Sequence, residues 1–455
     1  MNVNEINQHL GLGDLDLQVV LPHLGEYQKR SLPLPFEFGL NELPTESGII
    51  SIRGPRQYGK STWLELMIAD SIEDFGNGCA FYLNGDEVAT SDELLALIVQ
   101  VTTSFAKGAK VRRLFIDEIT AVPHWERALK RAADQRIIKD VLVVTTGSKA
   151  FDLRRGQERL PGRKGRLAKT EYIFLPCSYR AYYTKVYRER GLESCQDYVL
   201  TGGSPFALNE MYHTEELPDF VRQITRDWVL GEVVQSGRNR TMLTNILRCL
   251  FKYGGNPVGF AKLARESGLA NNTVASGYIE QLADLMCVIP SWPLDLKTGT
   301  GIMRKPCKFP FVNLSAAMAF YPRAPFSAWE LDRLPPEEKS VIWEWAVAQE
   351  IWRRKVLKGS DDPENILFWS SGSHELDFVD ENGDFVEVKV GKASAMEFSW
   401  FPKVFPRKRL TVICSTPFET DWCLGLTLHQ YLLRDPYFSA YVTDVPENPD
   451  AHDVR

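Results

Sequence analysis

The sequence predicts an α/β fold, and three observations support that class. Between Gly48 and about residue 175, apolar runs (GIISIRG, CAFYLNG, VRRLFIDEI, VLVVTTGS) alternate with helical stretches (TWLELMIADSI, DELLALIVQVTTSFA). Short buried runs separated by amphipathic helices are the pattern of a parallel sheet. A second α/β alternation runs from about 338 to 440. The chain has 455 residues, 44% hydrophobic and 25% charged, room for roughly three domains at about 150 residues each. This is ordinary globular chemistry, and it excludes a mainly disordered chain, a collagen-like fibre and a disulfide miniprotein.

No apolar run reaches the roughly 18 residues of a membrane helix, so no membrane partner is expected. The N-terminal stretch MNVNEINQHLGLGDLDLQVV is acidic and polar, where a signal peptide is basic and then apolar. A cytoplasmic protein is expected. Cysteines 79, 177, 195, 249, 287, 307, 414 and 423 form no CxxC pair, and they read as reduced core thiols. The net charge of −6 carries no nucleic-acid signature, yet residues 149–190 hold twelve Lys and Arg against four Asp and Glu. Such a patch suits a nucleic-acid or phosphate site, or else a solvated helical face.

Residues 1–45 read as an N-terminal extension, and 46–175 as the first α/β core. Within it Gly54-Pro55-Arg56-Gln57-Tyr58-Gly59-Lys60-Ser61 matches G-x-x-x-x-G-K-[ST]. The glycines let backbone N–H groups point at phosphate oxygens. Lys60 places a point charge on the β/γ phosphates, and the Ser61 hydroxyl can ligate Mg²⁺. The helix that follows, through Thr62, adds its N-terminal dipole. Its place between an apolar strand and an amphipathic helix is the context a P-loop requires, so ATP and Mg²⁺ are the expected cofactors.

The apolar strand LFIDE ends in Asp117, positioned for Mg²⁺, and Glu118, positioned to polarise an attacking water. The next strand ends in Thr146 and Ser148, either of which can reach a γ-phosphate. In LPGRKGR, Arg163 is the candidate for stabilising transition-state charge.

Residues 176–237 read as a helical lid. In 238–295, a helix from Phe260 stopped by Gly268, a second helix over Asn271–Leu282 and a strand over Leu285–Ile289 have winged-helix spacing. The second helix offers Asn271, Asn272, Thr273 and Ser276 to a groove but carries Glu280 and no Lys or Arg, which counts against phosphate neutralisation. Residues 296–337 are a proline-containing, loop-rich connector, 338–440 a C-terminal α/β domain, and 441–455 an acidic tail.

The C-terminal domain carries a second constellation. Asp377 lies on one strand; after the turn Glu381-Asn382-Gly383-Asp384, Glu387 and Lys389 lie on the next. Strand alternation places Glu387 and Lys389 on one face. Two carboxylates can bind Mg²⁺, and a lysine can orient water. The upstream helix offers Glu344 as a further metal ligand, with Glu350 as second choice. Lys392, Ser394, Lys403, Arg407, Lys408 and Arg409 could track a nucleic-acid backbone, and His374 reads as a turn residue.

The series RGPRQYGKST, LFIDE, VTTGSKAF, LPGRKGR, TGGSPFAL and ELDFV…VEVKV resembles prokaryotic AAA-type P-loop ATPases fused to a C-terminal restriction-endonuclease-like domain. It covers roughly residues 45–400. The resemblance implies a P-loop core with a parallel sheet, a helical lid, a winged-helix module and a nuclease-like α/β domain. One departure is that KPCKFPFVNL ends in Asn313, where such relatives tend to carry an aspartate. The expected activity is ATP hydrolysis, coupled to nucleic-acid binding or metal-dependent cleavage; the alternative is a regulatory ATPase whose C-terminal domain is a protein-binding scaffold. DNA is the candidate partner and a homo-oligomer the candidate assembly.

Overall fold

The computed structural model describes residues 2–148, 162, 165–360 and 362–437. Arg163 and the acidic tail 441–455 lie outside the described residues.

The first sheet holds β1 (Gly48–Arg53), β2 (Ala80–Asn84), β3 (Arg113–Asp117), β4 (Leu142–Gly147) and β5 (Glu171–Ile173) in the order β2-β3-β4-β1-β5. Every neighbouring pair is parallel. β3 and β4 are buried along their whole length, as central strands covered on both faces must be. The helices Lys60–Phe75, Ser91–Ser104 and Trp125–Asp134 lie between the strands in sequence.

The N-terminal stretch belongs to this core. Helices Val3–Leu12 and Pro22–Lys29 bury Leu10, Leu21 and Leu24. The Asn7 side chain accepts from Tyr82 N at 2.8 Å and donates to Tyr82 O at 2.7 Å. An amide thereby pairs the open edge of β2, a role that an isolated asparagine does not advertise in sequence.

A helical block follows: Tyr179–Arg190, Glu193–Thr201, Pro205–Thr214, Asp219–Gln235, Arg240–Lys252, Phe260–Ser267 and Asn272–Asp284. The last two are close to their expected ranges, with Gly268 left-handed at φ 72° and Asn271 accepting from Val274 N as N-cap. The expected strand at Leu285–Ile289 is corrected: only Val288 forms a bridge, to Phe311, and the strand itself is β6 (Ser291–Pro293). β6 pairs parallel with β7 (Ile366–Ser371). The connector is likewise more ordered than its prolines suggest. It forms helices Leu314–Phe320 and Ala328–Asp332, and it bridges back through Val258↔Cys307 and Ser291↔Lys308. Segments 238–295 and 296–337 therefore close only together with the C-terminal sheet.

That sheet adds β8 (His374–Val379), β9 (Phe385–Val388), β10 (Leu410–Ile413), β11 (Phe418–Glu419) and β12 (Cys423–Leu426), in the order β11-β12-β10-β9-β8-β7-β6. β7, β8 and β9 form an antiparallel meander. β10 returns parallel to β9. The long helix Pro336–Leu357 precedes the meander and buries Trp345 and Trp352 completely. All eight cysteines are buried free thiols.

Candidate functional site

Because β1 to β5 are all parallel, their C-terminal ends share one edge, where open α/β sheets place ligand sites. The P-loop leaves β1 there. Its two terminal glycines are required for different reasons. Gly59 is left-handed at φ 98°, and a Cβ there would stand 2.8 Å from Phe36 Cε1. A Cβ on Gly54 would stand 2.6 Å from Phe174 Cβ. Both glycines are therefore required by close packing, and Gly59 also by its backbone conformation; a phosphate there would be met by the loop's peptide N–H groups. Ser61 and Thr62 lie in the first turn of the helix Lys60–Phe75.

Lys60 is buried, and its Nζ donates to Gly54 O at 2.9 Å and Pro55 O at 2.8 Å. Burial pulls the ammonium below its usual range, partly offset by Glu118 and Asp117. Phosphate oxygens would replace two neutral carbonyls as its acceptors.

Asp117 and Glu118 sit two strands from the P-loop, with β4 between them. The two hydroxyls at the end of β4 divide between the two acids. Thr146 Oγ1 donates to Asp117 Oδ1, and Glu118 N donates to the same oxygen at 3.0 Å. Glu118 Oε1 accepts from Ser148 Oγ at 2.6 Å, Ser148 N at 2.9 Å and Thr120 Oγ1 at 3.1 Å. Glu118 itself is left-handed at φ 44°, ψ 44°, a costly conformation for a non-glycine that is often stored at functional sites. Its carbonyl passes so close to Gly85 that a Cβ there would stand 2.4 Å away. Burial works to raise the Glu118 carboxyl, but Lys60 and the Ser148 and Thr120 donors outweigh it and hold the pKa below the usual range.

This geometry yields a first expected result. Ser148→Ala removes one donor from the ionised form of Glu118, so its pKa rises toward the ordinary value. If Glu118 is the base, the acidic limb of the kcat–pH profile of ATP hydrolysis moves to higher pH. An unmoved limb would show that another group governs it.

Arg56 ties the loop to the lid. Its Nε donates to Ser148 Oγ at 3.3 Å, and its Nη2 lies 3.4 Å from Glu232 Oε1 on the helix Asp219–Gln235. A cavity of about 290 Å³ between them is lined by Arg56, Gln57, Trp228 and Glu232. Sequence reading missed Glu232, although an acid between Trp228, Val229 and Val233 on a buried helical face is a legible signal. Tyr58 is buried and donates to Asn313 Oδ1 at 3.1 Å. Asn313 also caps the helix Leu314–Phe320 by accepting from Ala316 N, so this asparagine has a structural task here.

The C-terminal residues meet at a second cavity of about 820 Å³, lined among others by Glu344, His374, Glu375, Asp377, Glu387 and Lys389. The β8–β9 register pairs Phe378 with Val386. One step further, the ladder gives way and Asp377 Oδ2 accepts from Val388 N at 2.9 Å. Glu387 Oε1 pairs with Lys389 Nζ at 2.6 Å, while Glu387 Oε2 is buried without a partner. Burial and the nearby Asp377 push the Glu387 carboxyl up to about 8. Burial and Asp377 likewise raise Glu344 well above the carboxylate range. Burial opposes the charge on Lys389, but Glu387 and Asp377 outweigh it and push the ammonium up.

Glu350, the second-choice ligand, is corrected. It is buried away from this cavity and pairs with Arg353 at 3.1 Å and Arg354 at 2.7 Å. His374 opens β8 and stacks on Trp400, with ring centroids 4.1 Å apart. Ser394 caps the short helix Ala395–Phe398, and Lys408 lies 4.0 Å from Asp384.

Sequence reading also missed Lys308. Its Nζ is buried against Glu375 Oε1 at 2.6 Å and Asp377 Oδ1 at 2.9 Å. The signal was a lysine inside the apolar run Cys307–Phe311, obscured by 69 residues of separation. Among the described residues no group of three or more His, Cys, Asp or Glu is set to hold a metal ion. At the start of the helix Asn272–Asp284, Asn271, Asn272 and Thr273 are exposed, while Ser276 Oγ donates to Glu280 on the same helix at 3.0 Å. No helix among the described residues is long and apolar enough to cross a membrane.

Residues 46–183 match the AAA domain family. The chain therefore carries an AAA-type P-loop ATPase domain, and it is an ATPase. No curated protein matches it. Among solved structures it is similar to the Walker-type ATPase PABY2304 of Pyrococcus abyssi, at 13% identity over 60% of this chain and 90% of that one, with a TM-score of 0.43. It is similar to a RuvB of Thermotoga maritima, at 18% identity over 53% and 81%, TM-score 0.30. It is also similar to the Orc1 protein of Aeropyrum pernix, solved in complex with DNA, at 14% identity over 66% and 91%, TM-score 0.27. At these identities and scores none of them informs the activity of this chain.

Proposed function

We propose that this AAA-type ATPase couples ATP turnover to a divalent-metal-dependent phosphodiester site in its C-terminal unit, with nucleic acid as the substrate. The observation that carries the reading is the convergence of Glu344, Asp377, Glu387 and Lys389 on one cavity, with Glu387 Oε2 buried and unpartnered. A buried carboxylate oxygen without a donor is costly, and a cation satisfies it. Among the described residues no three acids are grouped to hold a metal ion as they stand, so Mg²⁺ or Mn²⁺ would have to draw Glu387, Asp377 and Glu344 closer together. Such an ion polarises a phosphoryl oxygen and lowers the pKa of bound water. Lys389 would orient the water or stabilise charge on the phosphoryl group.

The order helix, antiparallel three-strand meander, short helix and parallel strand supports a restriction-endonuclease-like reading of 338–440. Three helices followed by β6 support the winged-helix reading. At the ATP site, Lys60 would grip the β/γ phosphates, Ser61 and Asp117 would hold Mg²⁺, and Glu118 Oε1 would take a proton from water. Arg163 remains the proposed transition-state arginine.

Two contacts support coupling. Arg53, the last residue of β1, pairs with Glu364 at 2.7 Å, just before β7. Tyr58 of the P-loop donates to Asn313, five residues along the chain from Lys308, which pairs with Glu375 and Asp377 of the second cavity.

One observation favours the alternative, a regulatory ATPase with a non-catalytic scaffold. The cavity wall also carries Glu337, Glu338 and Glu397, which repel a polyanion unless cations intervene. Incubating the protein with plasmid or single-stranded DNA, Mg²⁺ or Mn²⁺, with and without ATP, separates the readings. Cleavage lost in Glu387→Ala, with ATP hydrolysis retained, is the expected result. Intact DNA under every condition would give the scaffold the lead.

A pH dependence follows for the metal-free protein. Glu387 titrates near 8 in the fold against about 4.3 unfolded. The folded state thus binds more protons between these values, and stability falls as pH rises through that window. Melting temperature should drop from pH 5 to pH 8 without metal, less so in Glu387→Gln. Mn²⁺ should restore it at pH 8. A flat profile in the wild type would exclude the raised carboxyl.

A further inference from the structure

We propose that Arg56 distinguishes ATP from ADP: its guanidinium rests on Glu232 of the lid and transfers to the γ-phosphate when that group is present. The proposal rests on the reading that Lys60 grips the β/γ phosphates, and it adds a residue that this reading leaves unused.

Arg56 is the third residue of the phosphate-loop motif and stands between the lid and the hydrolytic edge of the sheet. Its Nη2 lies 3.4 Å from Glu232 Oε1. Its Nε donates to Ser148 Oγ at 3.3 Å, and that hydroxyl donates to Glu118 Oε1 at 2.6 Å. The guanidinium is thus one hydroxyl away from the acid proposed to face the attacking water, and that water attacks at the γ-phosphorus. Lys60 serves the same place. Burial is the main cause that lowers its ammonium; Glu118 and Asp117 oppose it, and Arg56 lowers it further. Two cations that disfavour each other at a phosphate loop are what a polyanion between them relieves.

Both contacts of Arg56 are longer than the roughly 2.7–2.9 Å of a strong charge-assisted bond. Its side chain is half exposed, whereas that of Glu232 is buried. The cavity of about 290 Å³ lies beside them, so the arginine can turn without repacking while Glu232 stays with its helix. A γ-phosphate carries more charge than a carboxylate and offers two oxygens to the planar fork of an arginine. It therefore draws the guanidinium from Glu232. ADP has no such group, and Arg56 stays. The helix Asp219–Gln235 loses this tether to the loop only in the ATP state. Glu232 and the γ-phosphate compete for one cation, so removing the arginine and removing the glutamate must act with opposite signs.

The test is calorimetric titration of the full chain with ADP and with the non-hydrolysable β,γ-imido analogue of ATP, both with Mg²⁺. Arg56→Met is expected to weaken the imido analogue about 10–100-fold, the loss of one charge-assisted bond, and to leave ADP unchanged. Glu232→Gln is expected to tighten the imido analogue a few-fold relative to ADP, because the competitor is gone. Added to Arg56→Met, it should change nothing. A merely structural lid contact would affect both nucleotides alike. Equal effects of Arg56→Met on the two nucleotides, or none, overturn the proposal. So does a Glu232→Gln chain whose preference for the imido analogue is unchanged or reduced. Melting curves accompany each variant; if either unfolds, Arg56→Lys and Glu232→Asp, which loosen the same contacts, carry the same expected signs. Lys60→Ala separates the two readings. Weakened binding of both nucleotides there, with an unaltered ratio in Arg56→Met, overturns the role of Arg56 and leaves that of Lys60 standing. Unchanged binding of both in Lys60→Ala sinks the two together.

Discussion

Glu118→Gln is expected to bind ATP with near wild-type affinity and to hydrolyse it about 10²–10⁴-fold more slowly, the usual cost of removing a general base. The structure makes this a clean substitution. The amide oxygen can still accept from Ser148 N, Ser148 Oγ and Thr120 Oγ1, the three donors that hold Glu118 Oε1. The left-handed backbone at Glu118 is set by β3 and by the close pass over Gly85, so it does not depend on the charge. What disappears is proton acceptance and the negative charge facing Lys60. Single-turnover hydrolysis, with nucleotide affinity measured separately by fluorescence, checks it. A rate within a few-fold of wild type would reduce Glu118 to a structural residue and move the base elsewhere on the sheet edge.

Lys60→Ala is expected to weaken ATP binding by about 10²–10⁴-fold, from the loss of two charge-assisted hydrogen bonds at about 1.5–3 kcal/mol each. The fold should persist. Without nucleotide the Lys60 ammonium donates its hydrogen bonds to Gly54 O and Pro55 O, two backbone carbonyls of the loop. Burial disfavours the charge, and the attraction of Glu118 and Asp117 only partly offsets that cost, so its removal also relieves a desolvated ion. Equilibrium binding of ATP beside a thermal melt separates the two effects. Unchanged affinity with an unchanged melt would contradict the phosphate cradle. An unfolded variant would show that Lys60 holds the loop itself.

The first α/β unit was the most legible part of the chain because its signals are local. A phosphate loop is a contiguous string whose glycines are required by backbone conformation at Gly59 and by close approach at Gly54. Buried parallel strands read as unbroken apolar runs, and β3 and β4 do so in full. The hairpin acids Asp377 and Glu387 were legible for the same reason, since strand alternation and a short turn set their relation. The wing strand was misplaced because the run Leu285–Ile289 is equally apolar as a buried turn. What selects Ser291–Pro293 as β6 is its pairing with β7, 75 residues later in register.

By itself the sequence determined the class of fold, the phosphate loop, the pair Asp117–Glu118 and the three-residue motif Asp377, Glu387 and Lys389. Each depends on spacing within one strand, one loop or one hairpin. Only the tertiary structure decided which hydroxyl serves which acid at the end of β4. It also brought Glu232 of the lid to Arg56 and folded the N-terminal stretch onto the edge of β2. Above all, it carried Lys308 across 69 residues to Asp377. Those contacts arise where separate elements pack together. A buried charge draws its partner from whatever segment the fold brings near, and spacing along the chain carries no record of that choice.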